Sequence, residues 1–408
     1  MDSLDNPIRP YAWGSHTAIP ALLGTAPTGT PQAELWMGAH PGAPSRLDRG
    51  AGAVTLTEII GADPPAELGP KAVAAFGPRL PFLLKLLAAD APLSLQVHPS
   101  RSQAQTGFAD EERRGVPLDA PHRNYKDANH KPELLCALTP FEGLCGFRPA
   151  AEAAALLEGL GIDDLKPYVL TLRDRPAADG SPSSPSKGYP MREVFTALLG
   201  ADRAALAPTV DRAAEAATRL GGPYAPYAGI ARHHPGDPGV LAALLLHHVS
   251  LRPGEALYLD AGVPHAYLSG LGVEIMANSD NVLRCGLTPK HVDVPELLRV
   301  VRFEPTEPGL LRPEPRPGGE EVYPAPIDEF RLSRYVLGTG GADGVDGTGQ
   351  ATLPAGGPQI LLCTDGTVTL RAPHAELTLA RGRSAYVPAS ETVTATGPGT
   401  LFRATVAL

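Results

Sequence analysis

Between residues 252 and 293 the chain leaves little freedom in what it can become. Residues 255–260 alternate as a short, half-buried strand, and Ala261-Gly262-Val263-Pro264 then forces a turn that delivers His265 at its exit. Residues 272–276 alternate again, placing Glu274 on one face and Val273 with Ile275 on the other. Four polar residues follow, Asn278 to Asn281, and then Arg284, Thr288 and Lys290 among small and apolar neighbours. A solvent-facing hairpin has no use for a histidine, an acid and two cations on adjacent short strands. The pattern is that of a pocket wall.

The same punctuation runs through the chain. Its 408 residues include 44 glycines and 45 prolines, only 19% are charged, and the expected architecture is mainly β. A net charge of −9 with no basic block excludes general nucleic-acid binding. No apolar run reaches membrane-spanning length, and no basic-then-apolar leader opens the chain. Cys136, Cys145, Cys285 and Cys363 lack C-x-x-C spacing, so free thiols in a reducing cytoplasm are expected.

Upstream of this wall lie other strands with chemistry on one face. Trp13 and Trp36, the chain's two tryptophans, read as core anchors of the N-terminal strands. Residues 81–89 form a nearly continuous apolar run whose one charge, Lys85, either reaches water at a strand edge or points into a pocket. Residues 93–97 alternate strictly before Pro99, so Ser94, Gln96 and His98 share a face. In Asn129-His130-Lys131-Pro132-Glu133, the proline biases Lys131 towards an extended conformation and sets Glu133 at the mouth of a buried strand. A buried carboxylate there needs a metal or an arginine.

Residues 150–247 change character. Helical patterning is expected at 150–160, 191–199, 202–220 (broken at Pro208) and 240–247, after a charged loop at 110–114 and around a loop at 177–190. His233-His234 and His247-His248, adjacent pairs that diverge on a helix, read as surface or packing residues. A helix at 295–302, a Gly-rich loop at 338–349, and strands at 359–364, 366–371, 375–379, 384–387 and 401–406 complete the expectation, the last five as a structural β unit.

Gln96 with His98, Glu133 and His265 thus offer two imidazoles, a carboxylate and an amide from separate places. That set suits Zn²⁺ with a position left open; a redox iron is less attractive where glutamine stands in place of a third histidine. With Q-V-H-P, N-H-K-P-E, P-H-A-Y-L-S-G and E-I-M-A-N-S-D-N-V-L-R in order, and with Y-A-W-G-S and E-L-W-M-G-A-H-P before them, the chain resembles the type I mannose-6-phosphate isomerases from Tyr11 to about Asp293. Cys285 is a mild departure, standing where glycine or alanine is expected.

The resemblance implies two cupin-type jelly-roll β-barrels plus an α-helical domain: residues 1–149 with 248–300 bearing zinc, 150–247 helical, and 301–408 a second jelly roll. It implies reversible exchange of D-mannose 6-phosphate and D-fructose 6-phosphate through an enediol(ate), with one Zn²⁺ per chain on Gln96, His98, Glu133 and His265. The partner implied is a small sugar phosphate, with no nucleic acid and no membrane, and the chain is expected to be a cytoplasmic monomer. Lys85, Lys290 and Ser94 are expected at the phosphate, and Arg284, Lys131, His130, Glu274 and Asp280 in catalysis. Asp280 equally fits an Asx turn, and Glu274 a salt bridge to Arg284. The rival functions are a non-catalytic, metal-containing sugar sensor and an iron-dependent cupin oxygenase.

Overall fold

The computed structural model describes residues 1–174, 189–338 and 349–408. Its main sheet system contains β1 (Glu34–Met37), β2 (Phe82–Ala89), β3 (Leu95–Val97), β4 (Glu133–Ala137), β5 (Phe141–Phe147), β6 (Leu246–Leu251), β7 (Ala256–Leu259), β8 (His265–Ala277) and β9 (Leu283–Gly286). All of their pairings are antiparallel.

β8 organises the system. Its second half pairs with β2 on one side and β4 on the other, while its first half pairs with β5 and, at His265, with β3. The change of partners falls at Gly270, whose φ of 122° suits glycine and where a Cβ would meet Phe141 Cδ2 at 2.6 Å. One strand therefore serves two layers. The expected strand at 272–276 is only its second half.

Alternation on these strands divides core from cavity. Leu35 and Met37 of β1, Leu84, Leu86 and Ala88 of β2, Leu134 and Cys136 of β4, and Val273 and Ile275 of β8 join one apolar cluster with Tyr323, Leu332, Ile360, Leu362, Tyr386 and Phe402. Burying each such leucine is worth about 1.5–3 kcal/mol. The intervening residues look the other way, into a cavity. The C-terminal partners in that core come from a second, antiparallel system that includes strands Arg331–Leu337, Gln359–Ala372, Ser384–Val387 and Gly399–Thr405. Residues 359–364 and 366–371 are one strand, bent at a register shift between Cys363 and Asp365.

Helices cover the outer side of β3. They include α1 (Ala150–Gly159), α2 (Lys166–Arg173), α3 (Tyr189–Gly200), α4 (Arg203–Leu220), α5 (Ala225–His233) and α6 (Gly239–Ala243), and they share a core with Leu95, Val97, Leu144 and Phe147. Pro208 does not break α4: it sits exposed in the second turn, and Val210, Ala213, Ala216 and Ala217 bury the following turns. The helix expected at 240–247 stops at Ala243, and His247-His248 instead lie on β6, paired with β5. The charged residues at 110–114 close a helix, Arg101–Arg113, whose start is fixed by a capping box between Ser100 and Gln103. Most of the loops expected at 177–190 and 338–349 lie outside the described residues.

Candidate metal centre

A cavity of about 620 Å³ opens where the inward faces of these strands converge. Glu34 and Trp36 of β1, Lys85 of β2, Ser94 and Gln96 at β3, Glu133 of β4, Glu274 of β8 and Arg284 of β9 all line it. The strict alternation that buries one side of each strand thus delivers charge to the other.

At its inner end, ligand atoms of His98, Glu133 and His265 lie within 4.8 Å of one another, all three residues buried. His98 Nε2 is 3.4 Å from Glu133 Oε1, and His265 Nε2 is 3.6 Å from Glu133 Oε2. The Gln96 amide joins them, its Nε2 being 3.4 Å from His265 Nε2. Both rings have their other nitrogen against a backbone carbonyl: His98 Nδ1 is 2.7 Å from Asn281 O, and His265 Nδ1 is 3.0 Å from Val263 O. Those contacts orient each Nε2 lone pair towards the shared centre.

His98 Nε2 and Glu133 Oε2 are buried without a hydrogen-bond partner. Burial pushes the His98 imidazole down to about 4, keeping it neutral and able to ligate. Burial alone would raise Glu133, but Lys131 above all, with Nζ 3.1 Å from Oε1, and then the imidazoles hold its carboxyl well below the usual range. Two imidazoles, a carboxylate and an amide fit a divalent zinc ion.

Beside it stands a charged relay. Lys85 Nζ lies 2.9 Å from Glu274 Oε2 and 3.8 Å from Glu34 Oε1, and Trp36 Nε1 donates to Glu34 Oε2 at 2.6 Å. Lys85 occupies a central strand and points into the cavity, away from any sheet edge. Glu274 pairs with Lys85 and not with Arg284. Burial lifts the Glu274 carboxyl above its ordinary range in spite of Lys85, with Glu133 and Glu34 adding repulsion.

At the opposite wall, Arg284 lies across from Gln96, half-buried, and burial lowers its pKa. Lys290 is lowered mainly by Arg284 and then by burial; both cations line the cavity, and among the described residues neither is in an ion pair. Ser94 and Thr288 line that wall. Asp280 is at the rim, its carboxylate 3.3 Å from His40 Nε2; burial would raise it, but His40 holds it below the usual range. Its backbone N–H donates to Asp127, so it belongs to a clamp between two loops as well as to the rim.

His130 is not brought to the cavity. Its Nε2 is 2.7 Å from Glu329 Oε1, and Arg101 reaches the same two groups at the edge of a separate, smaller pocket. The extended backbone at Lys131-Pro132 turns neighbouring side chains to opposite sides, and Lys131 takes the cavity side.

Several lining residues depart from the expectation. Trp13 and Trp36, expected in the core, form part of the cavity wall, as do His233 and His234 from the end of α5. Glu34 and His40 were not singled out, although Glu34 shares a strand face with Trp36, which lies across from Lys85.

The model of the phosphomannose isomerase type I catalytic domain matches residues 1–150. A mannose-6-phosphate isomerase from Escherichia coli is 40% identical over 410 residues, covering 99% of each chain. A solved variant of the phosphomannose isomerase from Salmonella typhimurium superposes with a TM-score of 0.87 at 38% identity, covering 100% of both chains. A mannose 6-phosphate isomerase structure bound with zinc and yttrium gives the same TM-score, identity and coverage.

Proposed function

The chain belongs to the type I phosphomannose isomerases, and we propose that Gln96, His98, Glu133 and His265 hold its zinc at the inner end of the cavity. It is a zinc-dependent mannose-6-phosphate isomerase, exchanging the aldose D-mannose 6-phosphate and the ketose D-fructose 6-phosphate. Neither the sensor nor the iron oxygenase reading survives that membership.

The observation that carries the ligand assignment is the pair of orphaned buried atoms, His98 Nε2 and Glu133 Oε2, facing one point. When bound, zinc supplies Lewis acidity towards the sugar oxygens where negative charge develops in the enediol(ate). The phosphate lies between Arg284 and Lys290, with Ser94 and Thr288 as neutral donors, because among the described residues those are the cavity cations in no ion pair. Arg284 also reaches substrate oxygens from its place across from Gln96. Lys85 is engaged by Glu274 and Glu34, so it stabilises that acid pair instead of the phosphate.

Aldose–ketose exchange moves a proton from C2 to C1. Glu274 suits the transfer: it faces the cavity, burial raises its carboxyl above the ordinary range, and Lys85 is in contact to stabilise its ionised form. Lys131 sets the charge of Glu133 and lies within reach of a substrate hydroxyl in the same cavity.

For the fold, we infer two cupin-type jelly rolls, residues 1–149 with 248–300 and residues 301–408, separated by a helical domain at 150–247. Antiparallel pairing of the strands named above and the two-layer path of β8 support this. One chain supplies every group named above, which favours a monomer, and the buried free cysteines favour the cytoplasm. Among the described residues no helix is long and apolar enough to cross a membrane.

The test follows fructose 6-phosphate formed from mannose 6-phosphate, with zinc measured on the same samples. Chelation should abolish turnover and zinc should restore it. His98→Ala and His265→Ala should not retain metal. Arg284→Ala and Glu274→Gln should keep zinc and lose roughly 10²–10³-fold in kcat, the loss expected on removing a transition-state donor or a proton-transfer group. Full zinc occupancy in both histidine variants would refute the ligand assignment, and near-normal kcat in Arg284→Ala or Glu274→Gln the role given to that residue.

A further inference from the structure

Where the helices meet the cavity wall, a buried carboxylate joins the two. Asp237, 3% exposed, lies in the connection between α5 and α6. Its Oδ1 accepts the N–H groups of Gly239 at 2.7 Å and Leu287 at 3.2 Å. Its Oδ2 accepts the N–H of Thr288 at 3.2 Å and the Arg203 guanidinium at 3.0 Å. Two of these donors belong to the turn after β9, which carries Thr288 and Lys290 into the wall.

That turn does not hold itself. Leu287 has φ 54°, and among the described residues it is the one non-glycine residue at positive φ. Gly286, at φ 123°, presses against Gly239 so closely that a Cβ on Gly239 would lie 2.5 Å from Leu287 N. Within the turn, the one side-chain contact to the backbone is Thr288 Oγ1 accepting from Lys290 N–H at 3.1 Å. The amides of Leu287 and Thr288 therefore depend on a carboxylate from outside, and a carboxylate, unlike an amide, has acceptor capacity on both of its atoms.

We propose that Asp237 is a positioning residue for substrate binding: from the helical region it fixes the 286–290 turn so that Thr288 and Lys290 meet the sugar phosphate. The inference rests on the reading of Arg284 and Lys290 as the phosphate cradle. Asp237 touches no substrate. Its effect passes through the backbone of Leu287 and Thr288, so it acts on binding of the phosphate and not on the proton transfer at the metal end.

Three variants test this: Asp237→Asn, which keeps the shape but loses one acceptor; Gly239→Ala, whose Cβ would crowd Leu287 N and Asp237 Oδ1 without changing charge; and Lys290→Ala. For each, KM and kcat for mannose 6-phosphate, inhibition by inorganic phosphate, zinc content and melting temperature are measured. Asp237→Asn and Gly239→Ala should each raise KM and the phosphate inhibition constant roughly tenfold, with kcat within about threefold and zinc unchanged, the signature of lost uniform binding. A lower melting temperature with both constants unmoved would mean that Asp237 only joins the helices to the sheet, and the inference falls. If Lys290→Ala raises both constants and the other two variants do not, the cradle stands and the role of Asp237 is overturned. If Lys290→Ala changes neither constant, the cradle reading fails and takes this one with it. Should Asp237→Asn not fold, Gly239→Ala decides.

Discussion

Asn281 shows how a neutral residue can support a metal centre it never touches. Its side chain is wholly buried, accepting from Lys126 N–H at 2.7 Å and donating to the carbonyls of Asp127 and Asn129, each at 2.8 Å. Its own carbonyl meets His98 Nδ1. The amide thus ties the segment leading to Glu133 to the segment orienting His98. Asn281→Ala strands buried backbone groups and should cost about 2–3 kcal/mol. It should also weaken zinc retention about 10–100-fold, as loss of an outer partner of a ligand does. Chelator competition on the folded variant checks this, and unchanged zinc affinity would detach Asn281 from the centre. At this scale much of the site is legible, because Gln96 with His98, and Lys131 with Glu133, are set by i, i+2 spacing on strands. Glu34, His40 and His234 were not, since their approach depends on which strands and helices become neighbours, and no local spacing encodes that.

Elements carry the next layer of constraint. β8 changes partners at Gly270, where the glycine conformation and the contact with Phe141 leave no room for a side chain. Gly270→Ala is expected to lower stability by about 3 kcal/mol or more, through positive-φ strain together with overpacking. Denaturant melts would show it as a lower midpoint, and a loss under about 1 kcal/mol would mean that the bend tolerates a Cβ. Alternation made the short strands readable, yet glycines and a register shift concealed that 265–277 is one strand and that 359–372 is another. The capping box at Ser100 outweighed the charged run expected as a loop, since a helix end tolerates solvated charge on its outer face.

Across the whole molecule, the face of the main sheet turned from the cavity is buried against the C-terminal strands, and the helical cluster covers another side. The four cysteines are distributed over these cores and all are buried. Burial pushes Cys136 and Cys363 up to about 11 and Cys145 up to about 12, with Cys285 displaced in the same direction. A raised thiol pKa means less thiolate at a given pH, so at pH 8 the native protein should resist a disulfide reagent, and unfolding should release four reactive thiols per chain. Rapid stoichiometric labelling of the folded protein would contradict the packing described. The division into β and helical regions was visible in composition and periodicity, whereas the way the C-terminal strands complete the core of the first sheet was not, because pairing between distant segments leaves no local trace.

β2 places Leu84, Leu86 and Ala88 in the core and Leu83, Lys85 and Leu87 on the cavity, from eight consecutive residues. Folding and chemistry are therefore encoded in odd and even positions of one segment. Exchanging a single cavity letter leaves the other set untouched, so such a strand can explore new substrates by substitution. Losing or gaining one letter inside it inverts the parity, sending a lysine into the oil and leucines to the sugar, and both properties fail in the same step.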